Sequence, residues 1–250
     1  MRTREGIRFS NLKHIARSPA HYRCALDTPF EQTPAKRIGS LVHALLLGGD
    51  FAMFEGVRRG KSWDEFEAAN AGRLIVSLSE FATARAISEH VQQNPLAKAA
   101  LTGRHEVELF RDHAGRKLGG TLDVLGDGFV TDLKTTHDAS PDRFPWQLRK
   151  LHYDAQLSWY TELARANGHT VRECRVVAVE TKPPYAVTVF RLMPRQLEAG
   201  ALKWASWLET LLVCESSGAW PEYTEAEVDI DIPDEDETFG LTGLDESESA

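Results

Sequence analysis

Along the first hundred residues the apolar positions recur at helical spacing. Ser10–Arg17 and Pro19–Leu26 read as two short helices divided at Ser18-Pro19. Thr33-Pro34 supplies a capping side chain and a proline at the first helical position. Ile38, Leu41, Val42, Leu45 and Leu46 then repeat every three or four residues up to Gly48-Gly49. A loop is expected over 49–62, and further helices over 63–70, 79–93 and 95–102. From Glu106 the period falls to two. Segments 106–110, 117–125 and 129–135 alternate or are rich in β-formers, with glycine-containing turns between them, which predicts a three-stranded meander. Helical spacing returns over 141–149 and 152–167, and strands are expected over 173–180 and 186–192, on either side of Lys182-Pro-Pro184. A last amphipathic helix over 195–216 carries Leu197, Ala201, Trp204, Leu208 and Leu211. This order predicts one α+β domain with a central mixed sheet flanked by helices.

Composition narrows the class. Apolar residues are 42% of the 250, enough for a sizeable core. The longest apolar stretch, Leu41–Leu47, is broken by His43, so neither a membrane span nor an apolar leader is expected, and a cytoplasmic location is. Cys24, Cys174 and Cys214 form no Cys-x-x-Cys pair, which argues against a disulfide framework and a thiolate zinc site. The net charge of −8 is unevenly spread: from Glu222 onward there are twelve acidic residues and no Lys or Arg. The remaining 1–221 hold 25 acidic and 29 basic residues, a net of +4. A mildly basic body, 1–221, is therefore expected to carry an acidic tail, 222–250, and the whole-chain charge does not exclude a polyanionic partner. The tail reads either as a disordered solubilising appendage or as a strand mimic competing for the basic surface.

Chemistry concentrates between Gly120 and Thr136. Asp127-Gly128 is a strong two-residue hairpin turn. Its register sets Leu125 opposite Val130 and Asp123 opposite Asp132, with Lys134 on the same sheet face. Two opposed carboxylates repel and call for a cation. Lys134 supplies one charge and a divalent metal with hard oxygen ligands would supply more. Such a centre could hold a phosphate oxygen and an activated water together. Lys134 could orient that water or neutralise the phosphate, with a pKa expected to be depressed by burial and neighbouring charge.

Asp123 followed by Asp132-Leu-Lys134 resembles the motif of the PD-(D/E)XK nucleases. Gln156-Leu-Ser-Trp-Tyr160 resembles the Gln-x-x-x-Tyr motif of their RecB-like branch, and His43, after Arg37-Ile-Gly39, stands where that branch has a metal-binding histidine. Ser10-Asn-Leu-Lys13, Ser18-Pro-Ala-His21-Tyr22, Arg59-Gly-Lys61 with Trp63, and Trp220-Pro221 resemble the RecE (exonuclease VIII) nuclease domain and its phage relatives over about 9–221. The resemblance implies a restriction-endonuclease-like α/β/α core. It implies Mg2+, replaceable by Mn2+, held by His43, Asp123, Asp132 and the Leu133 carbonyl. Lys134 would be the catalytic lysine, with Asp123 and Asp132 the catalytic carboxylates, and Gln156 and Tyr160 would touch DNA or groups beside the scissile phosphate. Glu106 or Glu108 could add a carboxylate.

The resemblance further implies a 5′-to-3′ exonuclease on duplex ends, making single-stranded tails for recombination or repair. It would work as a homo-oligomer beside a single-strand annealing protein. An endonucleolytic or structure-specific cutter and a non-catalytic DNA-binding protein on the same fold are the alternatives. Relatives often carry a basic residue just before the first aspartate, where this chain has Gly119-Gly-Thr-Leu. The cysteines do not supply the four-cysteine iron–sulfur pattern of some relatives, and no phosphate loop is present, so neither a cluster nor ATP is expected. Arg58, Arg59 and Lys61, and further along Arg143, Arg149 and Lys150, are possible backbone contacts for a DNA strand.

Overall fold

The computed structural model describes residues 6–28 and 32–230; most of the acidic tail lies outside the described residues. The short strand β1 (Ile7–Arg8) leads into α1 (Phe9–Leu12), a 3-10 turn (Lys13–Ala16) and α2 (Pro19–Asp27). The helix α3 (Pro34–His43) widens into a π-helical turn over Ala44–Gly48. Next come β2 (Phe51–Met53), α4 (Lys61–Ala69), β3 (Leu74–Val76), α5 (Leu78–Gln93) and α6 (Pro95–Ala100). The meander is β4 (Arg104–His113), β5 (Arg116–Leu125) and β6 (Gly128–Thr136). It is followed by α7 (Phe144–Lys150), α8 (Tyr153–Ala166), β7 (Val171–Glu180), β8 (Val187–Arg191) and α9 (Pro194–Ser217).

Helix starts follow local chemistry. Ser18 and Thr33 accept hydrogen bonds from the backbone N–H groups of His21 and Lys36, each with proline at the next position. Ser77 and Glu80 form a reciprocal capping box on α5. Each such cap stabilises its helix by about 1 kcal/mol. The expected loop over 49–62 is corrected in part. It contains β2, which pairs in parallel with β3 through Phe51–Leu74, Ala52–Ile75 and Met53–Val76. Three-residue strands are too short to display an alternating pattern, so neither was expected from the sequence.

The main sheet runs β1-β5-β6-β7-β8, with β4 on the other side of β5; β6 and β7 are parallel and the meander pairs are antiparallel. Its two faces are both covered. Along β7, Val176 and Ala178 belong to a core shared with α8 and α9, whereas Val177 and Val179 belong to one shared with α3 and α5. This alternation is what a strand buried on both faces requires.

One irregularity positions the site. On the same edge of β5, Val124 and Leu125 pair with Thr131 and Val130 of β6, while Leu118 and Gly119 pair with Ile7 and Arg8 of β1. The incoming β1 thus wedges between β5 and β6, and the two strands part at Asp123 and Asp132. The hairpin register agrees with the Asp127-Gly128 expectation, but the ladder stops one row before the two aspartates.

Candidate metal centre and its surroundings

The row where β5 and β6 part is also where face alternation slips. Leu118 and Leu122 enter the α8–α9 core, yet Val124, two residues beyond Leu122, enters the α3–α5 core. The neighbouring strand slips at the same row. Val107 packs with the first core, whereas His105, two residues earlier, bonds the Leu47 carbonyl across the other face (3.1 Å). Between these residues Glu106 adopts φ +49, left-handed for a non-glycine residue. The pairs His105–Val124 and Val107–Leu122 flank it, so Glu106 and Asp123 occupy one row. Left-handed backbone of this kind costs of order 1–3 kcal/mol and gathers at functional sites.

Side chains converge on that row from both layers. A β-carbon at Gly39 would come within 2.9 Å of Thr135 Oγ1, so glycine lets α3 lie close on β6. One helical turn later, His43 reaches the Leu133 carbonyl with Nε2 (2.8 Å) and sets Nδ1 3.7 Å from Asp123 Oδ2. The same Asp123 oxygen accepts the Leu133 N–H (2.7 Å), taking the place of a ladder bond the parted strands cannot make. Ligand atoms of His43, Glu106 and Asp123 all lie within 4.8 Å of one another. From the opposite layer, a β-carbon at Gly120 would meet the Tyr160 ring at 2.9 Å, so glycine there admits α8. Gln156 Nε2 donates to Asp132 Oδ1 (3.2 Å) and to the Tyr160 hydroxyl (3.0 Å).

Asp132 is almost wholly buried, and its Oδ2 lies 2.7 Å from Lys134 Nζ. Apart from that ion pair, Oδ2 has no hydrogen-bond partner. Burial, with the adjacent Asp123 carboxylate adding to it, pushes the Asp132 pKa up to about 6 against the pull of Lys134. Burial alone would lower the Lys134 pKa. The charges of Asp132, Tyr153 and Asp123 together outweigh it, and the ammonium is held above its ordinary value. This corrects the expectation of a depressed lysine. Lys134 Nζ also sits over the Tyr153 ring, 4.6 Å from its centre.

Asp123, Asp132, Lys134, His43, Leu133, Gln156 and Tyr160 are therefore brought together. Glu106 joins the cluster, whereas Glu108 ion-pairs with Arg8. Lys13, part of the Ser10–Lys13 motif but given no role there, lies near Lys134: burial lowers its pKa first, and the nearby charges of Lys134 and Lys36 add to it. Arg58 is engaged with Glu80 (2.7 Å), Lys61 lies 3.8 Å from Glu65, and Arg59 is exposed. The cysteines lie on α2, β7 and α9. Among the described residues no helix is long and apolar enough to cross a membrane.

Two carboxylates and one imidazole gathered within 4.8 Å, with the buried Asp132 carboxylate close by, fit a hard divalent cation. A forked mixed sheet between helical layers, with the Asp-x-Lys strand at the fork, is the fold of the PD-(D/E)XK class. The chain belongs to the family described as "PDDEXK-like domain of unknown function (DUF3799)", whose model matches residues 8–229. The fold is also that of a candidate exonuclease from Eubacterium rectale: TM-score 0.67 at 17% identity, covering 95% of this chain and 94% of that one. A phage-related exonuclease from Haemophilus somnus 129PT is more distant, with TM-score 0.40 and 12% identity over 84% of this chain and 96% of that one. No curated protein matches the sequence.

Proposed function

We propose that this protein is a metal-dependent deoxyribonuclease acting from duplex DNA ends, with 5′-to-3′ polarity, that makes single-stranded tails for recombination or repair. The observation that carries the reading is the convergence of His43, Glu106 and Asp123 on the parted strands, beside the buried Asp132–Lys134 pair. The exonuclease designation of the Eubacterium rectale neighbour, the sequence resemblance and the family membership support it.

Asp123 and Asp132, with His43 and Glu106, would hold Mg2+ or Mn2+, and the Leu133 carbonyl, now accepting from His43, is a further donor. Bound there, such an ion supplies an acidified water and stabilises charge building on phosphate oxygens. The residues' own parts follow from their environments. The raised pKa of Lys134 keeps its ammonium charged, so it acts as a fixed cation for the reacting phosphate rather than as a base. Gln156 fixes Asp132 and is itself aligned by Tyr160. Burial pushes the Tyr160 pKa up to about 12, so its hydroxyl stays neutral and acts through Gln156. No ATP step is assigned. Assembly into a homo-oligomer and cooperation with a single-strand annealing protein belong to the same proposal.

The acidic tail, 222–250, is proposed as an appendage to the nuclease body, 1–221, that competes with DNA for its basic surface. Trp220 stacks on Tyr22 (6.0 Å) and Tyr223 bonds Arg17 (2.5 Å), so the body keeps contact with the chain to that point. Removing 231–250 should tighten DNA binding in a filter or anisotropy titration, and unchanged affinity would end that role.

Degradation of a linear duplex labelled at one 5′ or one 3′ end, beside a closed circle, tests the main reading. Magnesium-dependent loss of the linear DNA alone, starting from the 5′ end, is expected. Cutting of the circle would favour an endonuclease, and binding without turnover would make the fold a DNA-binding scaffold.

A further inference from the structure

Beyond Lys134 the face of β6 that carries Asp132 continues to Thr136, whose Oγ1 bonds Gln147 of α7 (2.5 Å). The short helix α7 is thereby fixed at the end of the Asp132–Lys134–Thr136 row. One side of α7 serves packing: Phe144 is buried and stacks on Phe190 at 4.8 Å and 17°, and Leu148 lies against the same core. The other side is exposed. Arg143, Trp146 and Lys150, spaced by three and four residues, share it, and the Trp146 side is 57% exposed. Neither cation forms an ion pair with a described residue. Asp138, whose carboxyl feels the Arg143 charge, is held chiefly by Ser140.

A single exposed tryptophan needs no explanation. A tryptophan between two such cations, on an element tied to the strand of the site, fits one ligand class. Cations follow a phosphate backbone, and an open indole face accepts an unstacked base. We propose that α7 is a stacking platform for single-stranded DNA. Trp146 receives an unpaired base, and Arg143 and Lys150 hold the phosphates on either side. The inference deepens the nuclease reading and rests on it: the platform would engage the strand unpaired next to the site, making a frayed or tailed end the preferred substrate.

Anisotropy titrations with a labelled 12-mer of thymidylate and a blunt 20-base-pair duplex, in EDTA to prevent turnover, test the platform in the full chain. Trp146→Ala should weaken single-strand binding about tenfold and blunt-duplex binding much less. Trp146→Phe should restore most of the single-strand affinity, and the quenching of indole emission by the 12-mer in the wild type should be reduced in Trp146→Phe. Unchanged single-strand affinity in Trp146→Ala, equal losses on both DNAs, or no wild-type binding of the 12-mer would overturn the proposal. Magnesium-dependent degradation by the wild type, run in parallel, separates the two readings. If it is absent while the binding pattern holds, the nuclease reading fails and the platform stands; if it is present without the pattern, only the platform fails.

Discussion

The ion pairs Asp154–Lys203 and Asp132–Lys134 have nearly the same separation, 2.6 and 2.7 Å, and both aspartates are buried, yet their surroundings differ. Asp154 stands in the first turn of α8, where a carboxylate complements the helix dipole. Its Oδ1 accepts from the Ala155 N–H (2.9 Å) and its Oδ2 from Lys203 (2.6 Å), so both oxygens are satisfied. Asp132 has one further hydrogen bond, from Gln156; its other oxygen is met only by the Lys134 ammonium, and a second carboxylate is close by. A complete pair can hold a fold in place. An incomplete one, repeated in a row with Asp123 and Glu106, is an arrangement that gains most from an added cation.

The contrast is sharpest in activity. Lys134→Ala should reduce the initial rate on linear duplex at saturating magnesium by about 10³-fold, whereas Lys203→Ala should leave the rate per folded molecule near wild type. Comparable losses in both variants would dissolve the distinction. Stability should follow the opposite order. Asp154→Ala strands the Lys203 charge and should cost about 2 kcal/mol in urea unfolding. That figure lies below the range for fully buried pairs because Lys203 is one-third exposed.

A subtler effect comes from pH. The Asp132 pKa, raised from 3.8 to about 6, means the folded chain keeps a proton between those values that the unfolded chain has released. Its contribution to metal-free stability therefore falls as pH rises through this window. Metal affinity moves the other way, because the proton competes with the ion, and should drop up to about tenfold per pH unit below 6. Calorimetric titrations at pH 5 and 7 would show it, and equal affinities would refute it. The smallest expected change is in Glu106→Gln, with Mn2+ affinity lower by roughly tenfold; an unaltered isotherm would remove Glu106 from the site.

Much of this architecture was legible because it is local. Thr33-Pro34 caps α3, and Asp127-Gly128 sets the register in which Leu125 meets Val130. The two-residue β1 was not legible, since nothing in Ile7-Arg8 announces a strand that pairs with Leu118 and Gly119, far along the chain, and parts β5 from β6. Glu106 was weighed only as one of two optional carboxylates. A turn at Ala114-Gly115 pairs His113 with Arg116, and extending that register places Glu106 opposite Asp123. Its left-handed backbone, which completes the placement, leaves no mark in the sequence. The Lys134 pKa is not legible for a related reason: charge balance at a buried group depends on separations, and Asp132 at 2.7 Å acts with Tyr153 and Asp123 to reverse the effect of burial. Tyr153 could have been anticipated, since it shares a helical face with Gln156 and Tyr160.

Direct titration of Mn2+ into wild type and Asp132→Asn at pH 7.5, followed by calorimetry with circular dichroism as a folding control, tests the central claim that the incomplete pair belongs to a metal centre. Saturable binding is expected in the wild type, and at least about tenfold weaker binding in a folded Asp132→Asn. The same isotherm in both folded proteins would contradict it and leave Asp132–Lys134 as an ordinary buried ion pair.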